Sequence, residues 1–500
     1  MKTILTIGRL TFGIAFSLVL VASAFGQPSG QTQDKTKSKP ETRQLELSKK
    51  AWTGDFDQML ERRIMRAMVP YSRSLYFNDR GREMGISAET VRDFERWINK
   101  KYAKQLGKRP LTVMIFPATR DKLLPEVSQG LGDIAVGNLT VTEERLKTVD
   151  FVSPPDLFTV RELVLTGPKS PAVASTDDLA GKTVHVRKAS SYYESLAALN
   201  GRFKKEGKPA AKLVLVPDAL EDEDMMEMLN AGLLEIIVVD DWKAKMWAPI
   251  LPKIKVNERV AVREGGKLGW AIRKGSPKLE AEVLDFYKSY LKKQGVTAYR
   301  LKKYMSRVKQ IKNPTGKSEW ERFEEMLAYF RKYGQQYGFD PLMLAAQGYQ
   351  ESQLNQNAKS RVGAIGVMQV MPATGKELKV GDISVTESNI HAGAKYMDQL
   401  MTKYFPDANF TGNDRTLFAF ASYNCGPGNV SKMRKEAEKR GLDPNQWFNN
   451  VEVVTAQKIG METTTYVRNI YKYYVAYKLQ LDAMEATRKA REQWAPGTSK

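Results

Sequence analysis

Two periodicities divide this chain. From about residue 56 to 304, short β-type runs alternate with stretches of helical spacing, and beyond about residue 319 the apolar positions recur almost entirely at helical intervals. Strands are predicted at 111–115, 133–136, 163–165, 183–186, 213–216 and 236–239, with helices at 89–104 and 222–230 between them. That alternation predicts layered α/β structure on parallel sheets. The later segment predicts helices over 319–333, 341–349, 390–403, 415–422 and 463–481. The fold class is therefore multi-domain, an α/β domain followed by an all-α domain.

Five hundred residues exceed one ordinary core, so about two or three domains are expected. Residues 1–24 have the pattern of a Sec signal peptide: Lys2 and Arg9, an apolar run over 10–21, then Ala22-Ser23-Ala24 as a small-residue cleavage site. The same run also suits a buried helix or an uncleaved anchor. No cysteine lies near the cleavage site, which argues against a lipoprotein anchor. Residues 25–50, rich in Pro, Ser, Thr, Gln and Lys, read as a flexible tether. The α/β domain is assigned to 51–308, a turn-rich linker to 309–318, the helical domain to 319–485 and a polar tail to 486–500.

A formal charge of +21 favours anionic partners. Export makes nucleic acid an unsuitable one and leaves wall carboxylates or lipid phosphates. Cys425 is the single cysteine, so no intrachain disulfide forms, and with His185 and His391 as the only histidines a Cys/His metal site has no basis. No cofactor is expected. Neither histidine lies in a nucleophile motif, so a Ser-His-Asp triad has no support. Carboxylate chemistry remains.

One carboxylate is well placed for it. Asp340-Pro341 is an N-cap followed by proline at the first helical position, and residues 342–349 are apolar on nearly every side. Glu351 then falls where core meets solvent. Partial desolvation there raises a carboxyl pKa and keeps a proton available near neutrality, as a general acid requires. A glycine-rich turn with Gly363 and Gly366 comes next.

Four ordered blocks extend the pattern: Gln350-Glu351-Ser352, then Ser360 through Gln369-Val370-Met371-Pro372, then Ala421-Ser422-Tyr423-Asn424-Cys425-Gly426, then Glu462 through Val467. Over about residues 320–481 they resemble the soluble lytic transglycosylase catalytic domain, a goose-lysozyme-like helical fold. The resemblance implies that Glu351 is the catalytic acid/base. It would cleave the β-1,4 bond between N-acetylmuramic acid and N-acetylglucosamine, with the muramic C6 hydroxyl as internal nucleophile and a 1,6-anhydro product. Most glycosidases use two carboxylates; no second acid falls in the Glu351 block or the turn. The resemblance places Ser360, Met368, Gln369, Tyr423, Asn424, Glu462 and Tyr466 along the saccharide groove. Core packing is the alternative for Met368, and helix capping or an ion pair for Glu462. Ser422, Cys425 and Val367 depart conservatively from the family pattern.

Upstream, Gly132-Asp133 through Leu139-Thr140-Val141-Thr142-Glu143-Glu144-Arg145 and Val149-Asp150-Phe151-Val152-Ser153-Pro154 resemble the periplasmic amino-acid-binding proteins, two α/β lobes around a cleft. That resemblance implies a ligand carboxylate on Arg145 and Thr140, a ligand amine on Asp240 or Asp241, and Ser190 and Ser191 at a helix opening in the second lobe. The first strand block, Met68 to Arg73, departs from that family's pattern, so pocket specificity does not carry over, and a scaffold whose cleft binds nothing is the alternative. The order of the two domains resembles membrane-bound lytic transglycosylase F. It implies a periplasmic enzyme acting on peptidoglycan, peripherally associated with the outer membrane, with an amino acid or wall peptide bound by the first domain. A goose-type muramidase, or a solute-binding receptor with an inactive helical domain, are the competing readings.

Overall fold

A computed structural model of the chain describes residues 51–79, 82–154, 156, 159–293 and 312–494. The signal and tether assigned to 1–50 lie outside the described residues, as do residues 294–308 of the α/β domain, 309–311 of the linker and the last six residues.

The α/β domain has ten principal strands: β1 (Ile64–Pro70), β2 (Thr112–Ala118), β3 (Ile134–Thr140), β4 (Asp150–Val152), β5 (Val160–Thr166), β6 (Thr183–Val186), β7 (Lys212–Leu215), β8 (Ile236–Asp240), β9 (Lys255–Gly266) and β10 (Leu268–Ile272). They form two five-stranded sheets, ordered β2-β1-β3-β10-β4 and β9-β5-β8-β6-β7. The chain therefore passes between lobes twice, from β4 to β5 and from β9 back to β10. The expectation of parallel sheets needs correction. β1 pairs with β2 and β3 in parallel, but β10 runs antiparallel to both β3 and β4, and β5 runs antiparallel to both β8 and β9. A segment that crosses to the other lobe and returns must enter each sheet against its direction. The apolar pattern of β9 is interrupted by charges and register shifts, which hid it in the sequence.

Three helices of this domain border the cleft or the junction with the helical domain: α1 (Arg120–Ser128), α2 (Ser191–Lys205) and α3 (Asp222–Asn230). In the helical domain the corresponding elements are α4 (Lys317–Tyr337), α5 (Pro341–Ser352), α6 (Thr386–Tyr404), α7 (Asp414–Cys425) and α8 (Met461–Trp494). α8 continues past residue 481, where its apolar periodicity ends. Ala, Glu, Lys and Arg sustain a helix by propensity alone.

The buried apolar residues of the second lobe and of the helical domain form one continuous cluster. α3 lies at that junction and every one of its residues is buried. Met225, Met226, Met228 and Leu229 fill the apolar cluster. Its acids meet cations from elsewhere. Asp224 pairs with Lys472 at 2.7 Å and Arg73 at 3.3 Å, and Glu227 pairs with Lys472 at 2.8 Å and Arg73 at 2.9 Å. Arg468 reaches Asp224 at 3.4 Å and Glu452 at 3.0 Å. Arg73 comes just after β1 in the first lobe, whereas Arg468 and Lys472 belong to α8. Both lobes and the helical domain thus share one buried ionic cluster.

A buried ion pair that loses one partner leaves an uncompensated charge. Lys472→Met should lower unfolding free energy by about 3–5 kcal/mol in urea titration. Lys332→Met, which removes the exposed pair with Glu387, should change it little.

Candidate functional site

Helix α5 begins as its sequence implies. Asp340 Oδ1 accepts from the backbone N–H of Leu342 at 2.7 Å and of Met343 at 3.3 Å, and Pro341 occupies the first helical position. Residues 343–349 are all buried. The helix stops at Gln353 and Leu354, both with φ of 59°. Glu351 therefore stands half-buried in the last turn. Burial pushes its carboxyl up to about 7, against the opposing hydrogen bond from Tyr466, whose Oη donates to Glu351 Oε1 at 2.5 Å. No other ionisable group contributes to that shift.

The glycine-rich turn is fastened to this helix end. Ser352 Oγ donates to the carbonyl of Val367 at 2.9 Å, and Ile365 bridges to both Lys359 and Val370. Gly366 has φ of 80°, and a Cβ there would come within 2.2 Å of Asn389 Nδ2. Asn389, wholly buried on α6, organises the turn. It donates to the carbonyls of Ile365 at 3.0 Å and Ile383 at 2.9 Å and accepts from Met368 N at 2.8 Å. Sequence reading missed Asn389 because it precedes the apolar run from which the helix was recognised. Its signal was a lone amide on the face that Ile390 and Gly393 bury.

The predicted groove residues fall into different surroundings. Tyr423 on α7 donates to the Met368 carbonyl at 2.8 Å, and burial together with Glu351 holds its hydroxyl well above the usual range. Tyr423 and Tyr466 thus flank the acid. Gln369, with φ of 47°, donates to the carbonyls of Gly366 at 2.9 Å and Ala358 at 3.2 Å. Ser360 Oγ accepts from Ala364 N at 3.0 Å. Both hold the turn in shape. Asn424 is exposed and accepts from Thr463 Oγ1 at 2.7 Å, while Glu462 is exposed in the first turn of α8. Met368 requires correction: its side chain is wholly buried and packs into the space that Gly393 leaves open on α6. It fills the core and lines no groove.

A second site lies between the α/β lobes, a cavity of about 170 Å³ lined by Arg120, Thr140, Arg145, Ser190, Asp240 and Lys243 among others. Of the expected pair, Asp240 lies at the cavity; Asp241 faces Lys245 and the backbone of Arg161. Asp240 is wholly buried, which pushes it up to about 6 against the pull of Lys243. Ser190 caps α2, accepting from Tyr193 N at 3.2 Å. Arg145 donates to the Thr140 carbonyl at 3.1 Å and to Glu194 Oε1 at 3.0 Å. Glu194 belongs to the opposite lobe. Arg120 makes a comparable crossing, with its Nε 3.0 Å from each oxygen of Glu221 at the start of α3. Arg187 and Lys243 converge on Asp222 beside it. Arg120, Arg187 and Lys243 escaped notice as single cations outside any recognised motif. Among the described residues no cluster of His, Cys, Asp and Glu has metal-site geometry.

The model of the Transglycosylase SLT domain matches residues 328–445, and that of Bacterial extracellular solute-binding proteins, family 3, matches residues 66–307. The chain thus carries a solute-binding domain followed by a Transglycosylase SLT domain. A membrane-bound lytic murein transglycosylase F from Desulfosudis oleivorans is 29% identical over 406 residues, covering 78% of this chain and 86% of that protein. One from Pseudomonas fluorescens is 27% identical over 438 residues, covering 84% and 85%. Holo ArgBP from T. maritima aligns at 21% identity and a TM-score of 0.37, covering 50% of this chain and 99% of that one. Glu351, Ser360, Gln369, Tyr423 and Asn424 fall inside the SLT match; Glu462 and Tyr466 lie beyond it.

The raised acid has a stability signature. Because its folded pKa exceeds the ordinary 4.5, the burial cost is absent below about pH 4.5 and grows as pH rises through about 7. Glu351→Gln, neutral throughout, should gain roughly 1–3 kcal/mol over the wild type at pH 8 and converge with it near pH 4. Chemical denaturation at the two pH values measures this.

Proposed function

We propose that Glu351 is the acid/base of a murein lytic transglycosylase. It protonates the glycosidic oxygen as the bond to muramic C1 breaks. The resulting carboxylate takes the proton from the C6 hydroxyl as that oxygen closes on C1. Proton and bond counts balance without water, and the product is a 1,6-anhydromuramyl end. The observation that carries this reading is a single carboxyl, held protonated near neutrality by burial and, among the described residues, touched by no second acid. Two-carboxylate hydrolysis needs a partner acid to activate water or attack the sugar. Tyr466 and Tyr423 supply the hydroxyls beside Glu351, and Gln369 and Ser360 shape the turn that borders it.

Mass spectrometry of muropeptides released from purified sacculi tests the reading. The wild type should yield anhydromuramyl products and Glu351→Gln none. Reducing ends from the wild type would make it a muramidase instead.

The α/β cleft binds a small ligand with a carboxylate and an amine, an amino acid or a wall peptide. Arg145 and Asp240 at one cavity support this, with Thr140 and Ser190 on its wall. α3 supports a coupling to catalysis. Its first residues meet the cleft cations Arg120 and Arg187, and its next turn meets Lys472 and Arg468 of α8, the helix that carries Tyr466. Lobe movement would thus act on the partner of Glu351. The proposed setting is the periplasm, at the outer membrane. The basic charge supports contact with anionic lipid or wall, and no described helix is long and apolar enough to cross a membrane.

Glu194 already places a carboxylate on Arg145, so a ligand carboxylate must displace it. Glu194→Gln should tighten binding of a wall tetrapeptide by about tenfold, read by calorimetry. Unchanged affinity would remove Arg145 from the ligand site.

A further inference from the structure

The buried part of α5 is apolar except at one position. Gln347 is wholly buried, and among the described residues neither its amide nitrogen nor its amide oxygen completes a hydrogen bond of full geometry. Leaving both unpaired in an apolar interior carries a free-energy cost that a leucine there would avoid. The fold itself gains nothing from the amide. Its place on the helix is informative. Glu351 stands four residues on, one turn along the same face. The polar group that the Gln347 amide approaches is the hydroxyl of Tyr466, the donor to Glu351.

We propose that Gln347 is a positioning residue for the acid, acting through Tyr466. The inference rests on Glu351 being the acid. In the reacting complex Gln347 Nε2–H donates to Tyr466 Oη, so the phenolic proton is committed to Glu351 Oε1. The acid's own proton then resides on Oε2 and is delivered from there to the glycosidic oxygen. After transfer the carboxylate keeps its hydrogen bond at Oε1, and Oε2 is free to accept the proton of the C6 hydroxyl. The amide thereby makes the two carboxyl oxygens inequivalent: one is anchored, the other transfers protons. The direction of the Tyr466 shift agrees, since Gln347 is the neighbour that opposes the rise imposed by burial and by Glu351.

Gln347→Leu and Gln347→Met separate this role from packing, because both remove the unpaired amide and keep apolar bulk. With a soluble peptidoglycan glycan oligomer as substrate, kcat should fall by about tenfold, the loss of one ordinary hydrogen bond at the transition state, with KM unchanged. The alkaline limb of the pH–rate profile should move to higher pH, since a weaker Tyr466 donor leaves the Glu351 carboxylate less stabilised. The melting temperature should hold or rise in at least one variant. In a Tyr466→Phe background the same substitutions should have no further effect on kcat. An unmoved limb, a kcat loss that only accompanies a fall in melting temperature, or a full effect surviving in the Tyr466→Phe background would each overturn the role. Failure of the wild type to release anhydromuramyl ends would instead overturn the reading of Glu351, and is seen without any Gln347 variant.

Discussion

Helix α3 buries four carboxylates, and a buried carboxylate keeps its charge only where cations reach it. The cations come from three separated parts of the chain: Arg120 and Arg73 in the first lobe, Arg187 and Lys243 in the second, Arg468 and Lys472 in α8. Their pull is strong enough that Asp222 and Asp224 are both held far below the usual carboxylate range despite complete burial. Glu223 has too little of that compensation; burial and the charges of Glu221 and Asp224 push it upward against the pull of Arg73 and the hydrogen bond from Ser72. The α/β domain and the helical domain are therefore joined by charge as well as by a shared apolar core. That junction fixes where α8 lies, and with it the hydroxyl of Tyr466.

The chemistry at Glu351 is built from the opposite circumstance. Among the described residues no cation reaches it. Burial alone raises the carboxyl, and one phenol limits how far. Ordered acids on α3 and a proton-bearing acid on α5 thus come from the same rule, applied with and without a neighbouring positive charge. The turn over residues 359–370 completes the arrangement through backbone groups: Gln369, Ser360 and Asn389 all commit side-chain hydrogen bonds to holding it.

Much of this was legible beforehand. The Asp340-Pro341 cap, the apolar helix behind it and the position of Glu351 come from local rules, and local rules suffice where the partners are adjacent in sequence. Thr183–Val186 and Asp222–Asn230 were bounded correctly because their ends carry clear polar breaks. β9 and β10 were not seen, since their pairing depends on strands about a hundred residues earlier. For Met368 the family resemblance implies the groove, with core packing as the alternative, and the space left by Gly393 on another helix turns its side chain inward.

By itself the sequence determined an α/β part and a helical part, the place of Glu351 at the end of a buried helix and the residue types around the cleft. These depend on periodicity, caps and motif order, which are properties of neighbouring residues. Only the tertiary structure decided which groups meet: Tyr466 with Glu351, Glu194 with Arg145, and the acids of α3 with Lys472 and Arg468. Charge pairing and desolvation act through space over a few ångströms, and these partners lie up to hundreds of residues apart in the chain.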